Sequence, residues 1–246
     1  MNPSGSGSAW QQKVGGLAAF YLAAAYLVSM PYFLLFVKYQ EVVDPAEKVA
    51  LLVRHQGSMT AMYLVTYVVF GIVLAVLVPA LHRRLKDGAP LLAMVATAVG
   101  GLWAVVLVAS GMIFNAGVAA VAGLQGSSPA QAVLMWQSIE PVAQGLGGAG
   151  GELLGGLWVV LVSVAGLRGR VLPKAVNWLG VAIGAAGVLS VVPALRDLAY
   201  GFGVLQMVWF VWVGIAMLRV APRAAVAAMD ASTVETHIGW APPAVQ

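Results

Sequence analysis

The sequence has no cysteine, only three histidines, and only 9% charged residues. The first absence removes disulfides, thiolate metal sites, iron–sulfur clusters and cysteine nucleophiles together, and it leaves the redox compartment unreadable. Scarcity of charge separates the chain from soluble domains, where roughly 25% of residues are charged. No basic, aromatic-interleaved patch is present, so no nucleic-acid partner is expected. His55, His82 and His237 fall near or beyond the ends of apolar stretches, so no two of them can clamp a haem between helices. His55, Met59 and Met62 share a face only if a helix continues through Gly57. Phosphate-loop, nucleophile-elbow and HExxH patterns are missing. The sequence therefore indicates no catalytic residues, no metal site and no cofactor, and it leans away from an enzyme.

What is present is apolar: 61% of the 246 residues are hydrophobic, with a mean hydropathy of +0.91. Lipid offers no partner to a free N–H or C=O, so each long apolar run must satisfy its backbone as a helix of about 20 residues. Six runs have that length: 14–37, 58–81, 90–114, 147–167, 175–194 and 200–218. The expected fold is an all-α integral membrane protein, a six-helix bundle between a polar segment 1–13 and a mostly disordered tail 220–246. The first run exceeds a signal-peptide core of about 7–15 residues and reads as a retained span. Ala23–Ala25 imitates a cleavage site and supports the alternative of a processed start.

The 13 Lys and Arg residues divide unequally between alternate loops. Lys13, Arg83, Arg84, Lys86, Arg168, Arg170, Lys174, Arg219 and Arg223 fall on one face, and Lys38, Lys48, Arg54 and Arg196 on the other. The positive-inside rule makes the first face, with both termini, cytoplasmic. On the outer side, Asp44-Pro45-Ala46-Glu47 combines an N-cap, a first-turn proline and an acid in the first turn. It predicts an interfacial helix over 45–55, with Val49, Leu52 and Val53 inward and Lys48 and Arg54 toward water. Ser128-Pro129 opens a second short outer helix ending near Pro141.

Glycines at 147, 151 and 155, and at 180 and 184, give close-packing faces, read as intramolecular packing or as a dimer contact. Gly100-Gly101-Leu102-Trp103 and Gly155-Gly156-Leu157-Trp158 repeat a motif. The reading is coincidence of composition, with an inverted transporter repeat as the alternative.

The run from Gly151 to Arg219 carries Trp158, Leu172-Pro173, Asn177, Leu179-Gly180, Gly184, Pro193, Phe202-Gly203, Gln206, Trp209, Trp212 and Gly214. Over these roughly 70 residues the chain resembles a family of small bacterial multi-pass membrane proteins catalogued as domain of unknown function 4386. The first 115 residues fit that family only in hydropathy and helix number. The resemblance implies a six-helix bundle in a bacterial cytoplasmic membrane and brings no reaction, substrate or cofactor.

Glu152 is the one acid inside a predicted span, about five residues from its outer end, and intramembrane carboxylates raise a functional hypothesis by default. The competing reading places it in the headgroup region, favoured by a helix N-terminus. Asn115, Gln137, Glu140, Gln206 and the Arg196–Asp197 pair lie at similar depth, with Trp158 and Trp209 nearby. They form either an outward-opening pocket, in which Glu152 and Gln206 meet, or a polar cap joining helix ends. Three functions follow. The first is noncatalytic binding of a membrane lipid, an apolar small molecule or a membrane-protein partner. The second is a small transporter with its site around Glu152, and the third is a membrane enzyme of unrecognised type. Homo-oligomerisation is unspecified.

Overall fold

The computed structural model describes residues 3–147 and 152–219, with side-chain surroundings from Trp10 onward. The tail 220–246, and Gly151 of the glycine series, lie outside the described residues. The chain is all-helical, with no strand among the described residues: α1 (Pro3–Pro31), α2 (Pro45–Arg54), α3 (Gln56–Tyr63), α4 (Phe70–Leu85), α5 (Pro90–Gln125), α6 (Pro129–Gly147), α7 (Leu153–Gly169), α8 (Lys174–Leu189) and α9 (Leu198–Leu218). Four helical segments are long and apolar enough to cross a membrane: Trp10–Phe36, Gln56–Leu85, Pro90–Gln125 and Leu198–Leu218. The apolar helices α7 and α8 have 17 and 16 residues. At 1.5 Å per residue each is about 25 Å long, slightly under the hydrocarbon thickness of about 30 Å.

α1 packs against α4, α4 against α5, α5 against α7, α7 against α8, α8 against α9, and α9 against α1, which closes a ring. Small residues allow the tightest of these approaches. A Cβ on Gly156 would stand 2.6 Å from the Gly184 carbonyl oxygen, and a Cβ on Gly184 2.6 Å from the Gly156 carbonyl oxygen. Those glycines pack α7 on α8 within one chain. Aromatic rings fill the centre: Phe70, Trp103, Trp158, Trp209 and Phe210 form a chain of ring pairs with centroids 5.5–6.3 Å apart.

Element boundaries differ from the sequence reading where local chemistry outweighs hydropathy. Helix begins at Pro3, within the expected polar segment. α5 continues to Gln125 instead of stopping at 114, because no proline interrupts it before Gly126-Ser127-Ser128-Pro129. α6 runs through Pro141, which removes only one backbone hydrogen bond, and ends at Gly147. The run 147–167 is thus not one helix, and α7 starts at Leu153. The Gly-Gly-Ala-Gly-Gly sequence from Gly147 to Gly151 has little helix propensity.

The α2 helix forms as its sequence predicts: the Asp44 carboxylate accepts from the Ala46 and Glu47 N–H groups at 2.9 Å each. Val49 and Leu52 are fully buried. Lys48, however, does not turn to water. It reaches across to α6 and pairs with Glu140 at 3.3 Å.

Candidate ligand-binding site

Two π-helical turns interrupt the helices near the end of the bundle that carries α2 and α6. Tyr32–Phe36 follows Pro31, whose ring nitrogen cannot donate, and Leu64–Val69 joins α3 to α4. A wide turn displaces the side chains around it, and such turns recur at functional sites. Between these two lies a vestibule of about 200 Å³. Phe33, Tyr63, Tyr67 and Phe114 supply ring surface, and Tyr39, Gln40, Gln144 and Tyr200 supply polar atoms. Tyr63 and Phe114 stack with centroids 4.4 Å apart and planes 2° from parallel, which makes a flat apolar wall.

Thr66 and Tyr67 line both the vestibule and a second cavity of about 110 Å³. The inner cavity is bounded by Tyr26, Phe70, Trp103, Leu107, Gly147 and Glu152. A third, of about 180 Å³, shares Trp103 and Glu152 and runs along the start of α7. Shared lining residues make the three neighbours, with Glu152 on the wall of both the second and the third. Thr66 Oγ1 is buried at the junction with no hydrogen-bond partner.

Glu152 is the N-cap residue of α7. This corrects the expected depth of five residues inside a helix: the helix begins one residue after it. Its carbonyl accepts from Gly156 N at 2.8 Å, the first bond of α7, and its N–H donates to Ser190 Oγ at 3.0 Å. Ser190 Oγ in turn donates to the Gly187 carbonyl at 2.6 Å, fastening the start of α7 to the end of α8. The Glu152 side chain makes no capping bond to its own helix. With the backbone held on both sides, the carboxylate is presented to the cavities.

Glu140 belongs to a different constellation. Its carboxylate accepts from Tyr39 Oη at 2.8 Å and from Gln144 Nε2 at 3.0 Å, and it pairs with Lys48. Trp136 Nε1 donates to Tyr39 Oη at 2.8 Å, and the Lys48 ammonium sits 4.8 Å from the Tyr39 ring centroid. Burial, followed by the fields of Tyr63 and Glu140, pushes the Tyr39 hydroxyl far above its ordinary pKa. The network ties α2, α6 and the Tyr39–Glu41 turn into one clasp, and Tyr39 and Gln144 from it form part of the vestibule wall.

The remaining predicted residues do not join Glu152. Gln206 is fully buried, its two amide atoms have no partner, and it lines none of the three cavities. Phe202, one turn before it on α9, fills the level between: a Cβ on Gly155 would lie 3.2 Å from its ring and one on Gly187 2.7 Å. Asn115 is half-buried on α5 with both amide atoms unpartnered, away from the cavity walls, and Gln137 is exposed on α6. Trp158 and Trp209 are fully buried core rings, paired edge to face at 5.7 Å. Arg196 and Asp197 are both exposed between α8 and α9.

Sequence reasoning passed over Tyr26, Tyr63, Thr66, Tyr67 and Trp103. A signal existed: Tyr63, Tyr67 and Phe70 recur at intervals of four and three, one helical face, and tyrosines deep inside apolar runs carry a hydroxyl that requires a setting.

Compared with known proteins, the chain matches no family model, no curated protein and no solved structure. The resemblance carried by residues 151–219 stands as an expectation.

Proposed function

We propose that the protein is a noncatalytic binding protein of a cytoplasmic membrane, which holds a lipid or an apolar small molecule in the neighbouring cavities around Glu152. In this reading α1, α3–α4, α5, α7, α8 and α9 are six spans, the termini are cytoplasmic, and the α2–α6 end faces outward. A bacterial membrane and the family resemblance of the last third of the chain belong to the same reading.

The observation that carries it is the lining of these neighbouring cavities: aromatic and aliphatic walls, a few polar groups, and, among the described residues, a single carboxylate shared by the two inner ones. Small-molecule sites have this character, largely apolar with few polar groups fixing orientation. Transport is the less favoured reading, because beyond Glu152 the bundle axis is filled by Trp158, Trp209 and Phe210, each fully buried.

Mild extraction followed by native mass spectrometry tests the proposal. The expected result is a retained small molecule that is lost on Thr66→Phe, which puts a ring at the junction of the vestibule and the inner cavity. Retention of the same molecule by a folded Thr66→Phe protein would place binding elsewhere.

A further inference from the structure

Among the described residues, Glu152 is the only acid or base, tyrosine hydroxyls aside, whose side chain lines any of the three cavities. Among the described residues no Lys or Arg contributes to their walls. The lysines and arginines on the α2–α6 side are otherwise engaged or outside: Lys48 is paired with Glu140, Lys38 with Glu41 at 3.6 Å, and Arg54 and Arg196 are exposed. Among the described residues no cation forms an ion pair with the Glu152 carboxylate. A carboxylate in a largely apolar cavity is costly without a counter-charge, because little solvent offsets its field.

The walls around it are suited to supply the rest of a cation site. Tyr26, Tyr67, Phe70 and Trp103 share the inner cavity with Glu152, and aromatic faces attract cations most strongly where water is excluded. The inner volume of about 110 Å³ leaves room for a small head group beside the carboxylate. Beyond the Thr66–Tyr67 junction the vestibule offers an apolar slot for a longer body, and the unpartnered Thr66 Oγ1 marks where a polar linking atom would pass. An anionic head would meet the Glu152 carboxylate with no base to offset the repulsion.

We propose that the ligand of this site is an amphipathic organic cation, its ammonium head held by Glu152 and the surrounding rings and its apolar body lying in the vestibule. The inference rests on reading the cavities as the binding site and adds the charge of the occupant. Two sources carry this chemistry, a free amphiphilic amine and a lipid with an ammonium headgroup.

The test uses the full chain in a maltoside detergent, with decyltrimethylammonium as probe and its uncharged carbon analogue, which has a tert-butyl head, as comparison. Binding is read as thermal stabilisation against probe concentration. The cation should bind about tenfold or more tightly than the neutral analogue. Glu152→Gln should abolish that preference, and Tyr67→Leu should weaken the cation more than the analogue. If wild-type protein binds both probes equally, the cation inference fails while the site reading survives. Stabilisation by neither probe overturns both. A preference that persists undiminished in folded Glu152→Gln and Tyr67→Leu proteins also removes the inference. Competition by short-chain phosphatidylcholine supports the lipid source, and its failure to compete supports the free amine.

Discussion

Trp103 and Trp158 occupy each other's glycine sockets. A Cβ on Gly100 would stand 2.5 Å from Trp158 Nε1, and a Cβ on Gly155 would stand 2.8 Å from Trp103 Cζ2. The two rings meet with centroids 5.6 Å apart. Each glycine lies three residues before a tryptophan on its own helix, so α5 and α7 interlock through a small-large pair presented in both directions. The repeated Gly-Gly-Leu-Trp sequence, expected to be compositional, is therefore a matched packing device.

The sockets predict a sharp contrast between neighbouring glycines. Gly100→Ala forces a methyl group against a fully buried indole and should destabilise the bundle by about 1–3 kcal/mol, the usual cost of overpacking. Gly101 has nothing within 4 Å of its Cβ position. Gly101→Ala should leave the unfolding temperature unchanged or slightly raised, since alanine is the better helix former. Thermal unfolding of the two proteins in one detergent makes the comparison, and equal losses would rule out the interlock.

The clasp predicts an alkaline weakness. Burial keeps the Tyr39 hydroxyl protonated well above the usual tyrosine range, whereas in the unfolded chain it ionises near pH 10. The folded state then holds a proton that the unfolded state releases. Its stabilising contribution is complete below about pH 10 and declines as pH rises toward the folded-state value. Tyr39→Phe removes this dependence. It also deprives Trp136 Nε1 of its acceptor and Glu140 of a donor, a loss of about 1–3 kcal/mol at neutral pH. Unfolding measured on both sides of pH 10 should show the mutant less stable at neutrality and declining less steeply.

Orientation yields a prediction independent of packing. Reporter fusions placed after Lys86, after Arg170 and after Arg219 should all read cytoplasmic, following the uneven division of Lys and Arg. An outward signal at the Arg170 fusion would break the six-span reading, because it would mean that α7 does not cross.

Much of the architecture was legible because hydropathy and capping are local. The Asp44–Glu47 cap and α2 lie in adjacent residues, and the glycines at 180 and 184 gave the close face of α8. The depth of Glu152 was not legible, because hydropathy counts glycine as neutral and cannot see that α7 starts only at Leu153. The Lys48–Glu140 pair and its Tyr39 and Trp136 partners are separated by some 90 to 100 positions. Their union depends on α6 folding back along α5. The vestibule lies between two π-turns, whose form depends on tertiary packing as much as on sequence, although Pro31 marks one of them.

Gln206 supplies the last prediction. Its side chain is completely buried on α9, and neither amide atom meets a protein partner. Trp209 Nε1 and Ser163 Oγ are likewise buried without partners, and both lie against Gly180, where a Cβ would stand 2.6 Å from the indole nitrogen. This layer of the bundle therefore contains polar groups whose desolvation no protein contact offsets. Such a burden costs about 1–3 kcal/mol for each neutral group. Methionine has a similar length and flexibility and no strong hydrogen-bonding atoms, so Gln206→Met should pack in the same space and raise stability by about 1–2 kcal/mol. The binding site predicts no penalty, because Gln206 lines none of the three cavities. Thermal unfolding and titration with decyltrimethylammonium can be performed on the same sample. A more stable protein with unchanged affinity is the expected outcome; loss of affinity would return Gln206 to the site from which its packing separates it.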